Sequence, residues 1–161
     1  MQFEGIYTPL VTPYHDDFSL NEKALGETVE HLIAAGVHGI IVAGSTGEYY
    51  AQTAQERLAM MTQCADLIKG RVPMIVGTGA IRTEDSIMYA EAAKAAGAEA
   101  LLVATPPYAY PTGREIALHA LAVDRAANLP VMLYGISTPH QLHSDLRTCR
   151  HGRCLMTVGT F

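Results

Sequence analysis

Short apolar runs alternate strictly with helix-length segments along this chain, and that order predicts the α/β class. Two further observations agree. The runs recur roughly every 30 residues, the length of one strand–helix unit. The segments between them open on repeated helix-start signals and close on repeated helix-stop signals.

The strands are read first. One run covers residues 6–11, and the others are Ile40-Ile41-Val42, Met74-Ile75-Val76, Leu101-Leu102-Val103 and Val131-Met132-Leu133. Each is short, nearly continuous in apolar residues and rich in β-branched ones, as suits a strand covered on both faces in a parallel sheet. The helices follow. Ser19-Leu20-Asn21-Glu22, Thr53-Ala54-Gln55-Glu56 and Thr112-Gly113-Arg114-Glu115 all match the capping box. There the hydroxyl accepts from an orphan amide and the glutamate accepts from the amide of the cap. Thr83 alone is expected to cap the third helix. Leu25, Val29, Leu32 and Ile33 make one apolar stripe. Gly36, Gly70 and Gly97 stand where left-handed C-caps belong, and Asn128 takes that place ahead of Pro130.

Composition narrows the function classes. A chain of 161 residues can bury one real core. Its 49% hydrophobic content and net charge of −5 suit a globular protein and argue against a nucleic-acid or membrane-surface partner. No apolar run approaches the ~18 residues of a membrane span. Cys64, Cys149 and Cys154 are sparse and odd in number, which points to a reducing compartment rather than a disulfide scaffold. The first residues carry no basic region ahead of an apolar one, so a cytoplasmic location is expected.

Alternation leaves two architectures open. Five parallel strands could form an open doubly wound sheet. They could equally be about five of the eight strands of a (β/α)8 barrel, which normally needs ~250 residues. Periodicity does not separate these. Motifs do, and they fall at strand C-terminal ends, where barrel enzymes place their chemistry. The chain starts Gly5-Ile6-Tyr7-Thr8-Pro9-Leu10-Val11-Thr12-Pro13. Gly44-Ser45-Thr46-Gly47-Glu48 follows the second strand and Thr105-Pro106-Pro107-Tyr108 the fourth, and the fifth ends Val131-Met132-Leu133-Tyr134.

Together and in register, these elements resemble the dihydrodipicolinate synthase / N-acetylneuraminate lyase family of pyruvate-handling aldolases. The resemblance covers residues 5 to about 134. It implies a partial TIM (β/α)8 barrel, with residues 1–134 as its N-terminal part and 135–161 as a divergent tail. It also implies a homo-oligomer acting on pyruvate or another 2-oxo acid, with no cofactor and no metal.

Two hydroxyls and adjacent amides at Ser45 and Thr46, bounded by Gly44 and Gly47, suit a carboxylate, because several donors converge on one anion. An ordinary loop whose Ser and Thr merely cap the next helix would look the same. The resemblance implies that Ser45, Thr46 and Gly47 hold the pyruvate carboxylate. It implies that Tyr134 is the general acid/base, with Thr46 and Tyr108 as its proton-relay partners, the latter reaching across a dimer interface in many members. Read alone, Tyr134 could be a strand-end tyrosine with its hydroxyl in water, and Tyr108 part of a rigid surface turn. Glu48 reads as a carboxylate at a helix N-terminus. Gly77-Thr78-Gly79 lacks the third glycine of a dinucleotide loop and reads as a close-packed strand end. His15, His31, His38 and His119 are scattered without metal spacing.

One departure matters. The family chemistry needs a lysine on the sixth strand, neutral and desolvated, to form a Schiff base with pyruvate. The only lysines are Lys23, Lys69 and Lys94. After Tyr134 the chain reads Gly135-Ile136-Ser137-Thr138-Pro139-His140, with Pro139 where the family has a substrate-binding arginine. Residues 135–161 hold two of the three cysteines and no lysine or glutamate, as a shifted reading frame would produce. Cys149, His151 and Cys154, with His140 and His143, lack the paired spacing of a zinc site, so a weakly folded extension is expected. Without later strands, the first and fifth strands should each present an unpaired edge. Three functions remain: a pyruvate-dependent lyase or aldolase, a non-catalytic fragment, and a small 2-oxo-acid binding module.

Overall fold

A computed structural model describes residues 4–135 and 154–158, the last five by their backbone. Ten elements follow in order: β1 (Tyr7–Pro9), α1 (Glu22–Ala34), β2 (Gly39–Val42), α2 (Ala54–Ile68), β3 (Met74–Gly77), α3 (Thr83–Ala95), β4 (Ala100–Ala104), α4 (Gly113–Ala127), β5 (Val131–Gly135) and β6 (Cys154–Val158). Two 3₁₀ turns, Ser45–Gly47 and Tyr49–Ala51, lie between β2 and α2.

All strand pairs are parallel, and the strand order is β1-β2-β3-β4-β5-β6. This order decides between the two architectures. A doubly wound sheet reverses direction once and carries helices on both faces. Here every crossover advances by one strand, so right-handed connections place every helix on the same side. The sheet is a curled partial barrel, and the doubly wound alternative is excluded.

Register explains the core. Ile40 pairs with Met74, Val42 with Val76, Val76 with Leu101, Leu101 with Val131 and Val103 with Leu133. Paired residues of parallel strands share a face. This row packs against Leu25, Val29, Met60, Met61, Ile68, Ala90 and Val123 from the helices, with none of the strand residues more than 4% exposed. Burying each such side chain is worth about 1.5–3 kcal/mol. On the other face Ile75 and Ala100 are fully buried, while Ile41, Leu102, Met132 and Tyr134 are half-buried. Cys64 belongs to the helix-side core, and burial pushes its thiol up to about 12.

Three differences from the sequence reading concern the helix starts and the sheet edge. Helix α1 is capped by Asn21, whose side chain accepts from the Ala24 amide at 3.0 Å, because Ser19 lies two residues further out and bonds to Asp17 at 2.6 Å. Thr83 is the first helical residue of α3 rather than its cap, and its hydroxyl meets His119 Nδ1 at 3.0 Å. The third difference is β6, which pairs along the whole of β5 where an edge was expected. Among the described residues β1 keeps one unpaired side, and the described strands do not close into a ring, since β1 and β6 are not neighbours. The capping boxes of Thr53 and Thr112 form as expected, and Gly36, Gly70, Gly97 and Asn128 all take positive φ. The proposed division at residue 134 falls inside β5, and residues 136–153 lie outside the described residues.

Candidate active site

Consecutive parallel strands deliver every strand-to-helix connection to one end of the sheet. Residues 10–13, 43–52, 77–81 and 105–111 meet there, with Tyr134 at the end of β5.

Residues 43–52 have the most built structure. Ala43 leaves β2 at φ 54° and Glu48 joins the two 3₁₀ turns at φ 56°. Left-handed backbone at a residue bearing a Cβ costs of order 1 kcal/mol, so the surroundings must impose it. They do. The Thr12 hydroxyl donates to the Gly47 carbonyl at 2.7 Å, and Gln52 Nε2 donates to the Tyr14 hydroxyl at 3.1 Å and to Thr12 Oγ1 at 3.4 Å. Gly47 is enclosed: a Cβ there would stand 2.9 Å from the Leu10 carbonyl oxygen. Glu48 therefore lies between two short turns, not at the N-terminus of α2, which starts six residues later at Ala54.

Within the first turn, the Gly47 amide donates to the Gly44 carbonyl and the Glu48 amide to the Ser45 carbonyl, each at 3.0 Å. The amides and hydroxyls of Ser45 and Thr46 have no hydrogen-bond partner among the described residues, and both side chains are exposed. Two N–H and two O–H donors thus stand uncommitted on one arc, an arrangement that suits an anion.

Behind the turn lies Arg57, 2% exposed. Its Nη1 donates to the Gly79 carbonyl at 2.8 Å and its Nη2 to the Gly77 carbonyl at 2.7 Å. Its guanidinium stacks between Tyr89 and Tyr49, 4.0 and 4.6 Å from the ring centroids. Burial pulls the Arg57 pKa below its ordinary value, opposed by Tyr89 and Tyr49; burial also raises that of Tyr49. Sequence reasoning missed Thr12, Gln52 and Arg57. A signal for Arg57 was present: it falls in step with Met60, Met61, Cys64 and Ile68 on the buried stripe of α2, where a charge is out of place.

The remaining site residues are not drawn into this network. Tyr134 is half-buried, pairs in register with Ala104, and its carbonyl accepts from the Thr105 amide at 3.3 Å. Three strand spacings of about 4.8 Å separate β2 from β5, roughly 14 Å along a flat sheet, so only curvature brings Tyr134 nearer to Thr46. Tyr108 is 97% exposed at φ 71°. No hydrogen bond among the described residues joins Tyr134 to Thr46 or Tyr108. Gly77 ends β3 as a close-packed position, since a Cβ there would collide with the Ala43 carbonyl.

All three lysines lie on helices or their ends. Lys23 sits in α1, 3.8 Å from Glu27, Lys69 is the C-cap of α2, and Lys94 is in the last turn of α3. β6 reads Cys-Leu-Met-Thr-Val and contains none. Among the described residues, no group of three or more His, Cys, Asp or Glu side chains could hold a metal ion, and no helix is long and apolar enough to cross a membrane. His140, His143, Cys149 and His151 lie outside the described residues, as does the Cys154 side chain.

Known proteins share both the sequence and the shape. The model of the dihydrodipicolinate synthetase family matches residues 2–148. The 4-hydroxy-tetrahydrodipicolinate synthase of Chelativorans sp. (strain BNC1) is 41% identical over 134 residues, covering 83% of this chain and 46% of that protein. Among solved structures, YagE of E. coli K12, a prophage protein of the dihydrodipicolinic acid synthase family crystallised with pyruvate, superposes with a TM-score of 0.81 at 32% identity, over 91% of this chain and 48% of its own. The chloride-inhibited dihydrodipicolinate synthase of Acinetobacter baumannii, complexed with pyruvate, gives a TM-score of 0.79 at 34% identity, over 83% and 46%. The chain thus spans about half the length of the relatives it matches. A singly wound parallel sheet with its chemistry-bearing loops at one end, matched over most of its residues by these proteins, makes the chain a member of the dihydrodipicolinate synthetase family.

Proposed function

We propose that this chain carries the 2-oxo-acid-binding part of a 4-hydroxy-tetrahydrodipicolinate synthase-like lyase, and that by itself it binds such an acid without completing the Schiff base. The observation that carries the reading is the arc of uncommitted donors at Ser45 and Thr46 on a turn whose shape is imposed from behind. A carboxylate receiving several N–H and O–H bonds at once is held tightly and in one orientation. The pyruvate complexes of two relatives, YagE and the A. baumannii enzyme, point to the same ligand class.

In this reading Gly47 allows close backbone approach, Tyr134 moves the proton at the substrate oxygen, and Thr46 and Tyr108 relay it. Tyr108 would do so from a neighbouring copy, which fits its full exposure. The absence of a strand-borne lysine favours binding over covalent catalysis in this chain. The same reading takes residues 135–161 as altered by a shift of reading frame, within a stretch where the family match runs on to residue 148; sequencing the gene across codon 134 tests this, an intact frame rejecting it, and the reading places the protein in the cytoplasm.

Calorimetric titration with pyruvate tests the site. Binding should occur and be lost in the Ser45→Ala/Thr46→Ala double variant; an unchanged affinity rejects the assignment. Treatment with pyruvate and borohydride, followed by mass measurement, should leave the mass unchanged. A gain of one reduced pyruvate on a lysine would overturn the non-covalent reading.

A further inference from the structure

Arg57 is an expensive residue to bury. No carboxylate pairs with it among the described residues, and its Nε has no partner there. A buried charge without a counter-ion is a poor stabiliser, and apolar replacements of similar volume often serve stability as well or better. What a guanidinium offers that an apolar side chain cannot is a rigid fork that fixes two acceptors at once and stacks on aromatic faces.

The places that this fork fixes converge on the donor arc. One prong holds the Gly77 carbonyl, and Gly77 is packed so closely on Ala43 that no Cβ fits between them. Ala43 is the left-handed residue from which the 45–47 turn departs. The other prong holds the Gly79 carbonyl, and Gly79 lies against Tyr49, with a Cβ there 2.9 Å from the tyrosine hydroxyl. Tyr49 opens the second turn and stacks on the same guanidinium. The entry to the arc and its exit are thereby held against one side chain.

We propose that Arg57 is the positioning residue of the carboxylate-binding turn: it clamps the end of β3 and the ring of Tyr49, and so sets the spacing from Ala43 to Tyr49 in which the Ser45 and Thr46 donors converge. This rests on reading residues 45–47 as the carboxylate site. Arg57 does not touch the ligand; it acts through the backbone of the turn.

The test uses the full 161-residue chain and four proteins: the unsubstituted chain, Arg57→Lys, Arg57→Met, and Ile68→Ala as a control. Ile68 is buried at the far end of α2 and reports what a general loss of helix packing does. Two quantities are read, pyruvate affinity by calorimetry and amide hydrogen exchange over residues 43–49 by mass spectrometry. Both Arg57 variants should weaken pyruvate binding roughly 3- to 30-fold, the range expected of a residue coupled to a site without contacting it. Both should speed exchange over residues 43–49, Arg57→Lys less than Arg57→Met, while Ile68→Ala leaves that segment as it was. Unchanged exchange in Arg57→Lys and Arg57→Met, or an equal rise in Ile68→Ala, overturns the proposal. If the unsubstituted chain does not bind pyruvate, the carboxylate reading fails alone, and the exchange data still decide whether Arg57 positions the turn.

Discussion

The connections after β2 and after β4 leave the sheet at the same end, and each holds two non-glycine residues in left-handed conformation: Ala43 and Glu48 in the first, Tyr108 and Tyr110 in the second. Their surroundings are opposite. Residues 43–52 are pinned by Thr12, backed by Gln52 and enclosed by the Gly77–Ala43 contact. Tyr108 and Tyr110 are 97% and 93% exposed, and neither side chain has a hydrogen-bond partner among the described residues. The second loop gains its stiffness from covalent structure instead, since Pro106, Pro107 and Pro111 restrict their own φ. One loop is shaped by the fold and the other by its own sequence. Substitutions that disturb tertiary contacts should therefore damage the first and spare the second.

The largest effect is expected from Gly77→Ala. The added methyl meets a backbone oxygen that cannot rotate away, so β3 or the 43–48 segment must move. Overpacking of this kind costs about 1–3 kcal/mol. The unfolding free energy from urea denaturation should fall accordingly and pyruvate binding with it; a value within ~0.5 kcal/mol of the original would show that the contact relaxes freely.

Thr12→Val keeps the shape and removes the donor to the Gly47 carbonyl. A loss of about 1 kcal/mol is expected, and amide shifts at Gly47 and Glu48 should report the released turn. Identical spectra would mean that the hydroxyl is idle.

A pH titration probes the ground beside the second loop. His119, on the helix that follows it, is buried against Thr83, and burial holds its pKa below the ordinary value. The unfolded chain therefore binds more protons below about pH 6.5. The His119 contribution to stability is complete above that pH and is lost progressively as pH falls towards the folded pKa. In His119→Gln this part of the acid sensitivity should vanish, and its persistence would assign the effect to other groups.

The smallest effect is expected from Tyr108→Ala, within about 0.5 kcal/mol of the parent as for other exposed positions. A markedly larger loss would show that this loop is supported after all, and the contrast between the two connections would fail.

How much of this was readable beforehand follows the range of the forces involved. Thr53-Ala54-Gln55-Glu56 and Thr112-Gly113-Arg114-Glu115 specify their helix starts within four residues, and both form as read. Apolar run length identified five strands for the same reason. Even local rules slipped where two hydroxyl or amide side chains competed: Asn21 took the cap from Ser19 because the cap position is defined by where the helix begins. The 45–47 turn was legible as a donor-rich segment, because its residues are contiguous. What local pattern could not supply was strand order, the pairing of Cys154–Val158 along β5, and the grip of Arg57 on two carbonyls 20 and 22 residues away. Periodicity permits both an open doubly wound sheet and a curled partial barrel, and only the pairing of strands far apart in sequence selects one. The identity of the elements is thus written in neighbouring residues. Their order in the sheet, and the clamp that shapes the candidate site, exist only once distant segments are packed together, because hydrogen bonding and burial of a guanidinium depend on partners that no short stretch of sequence contains.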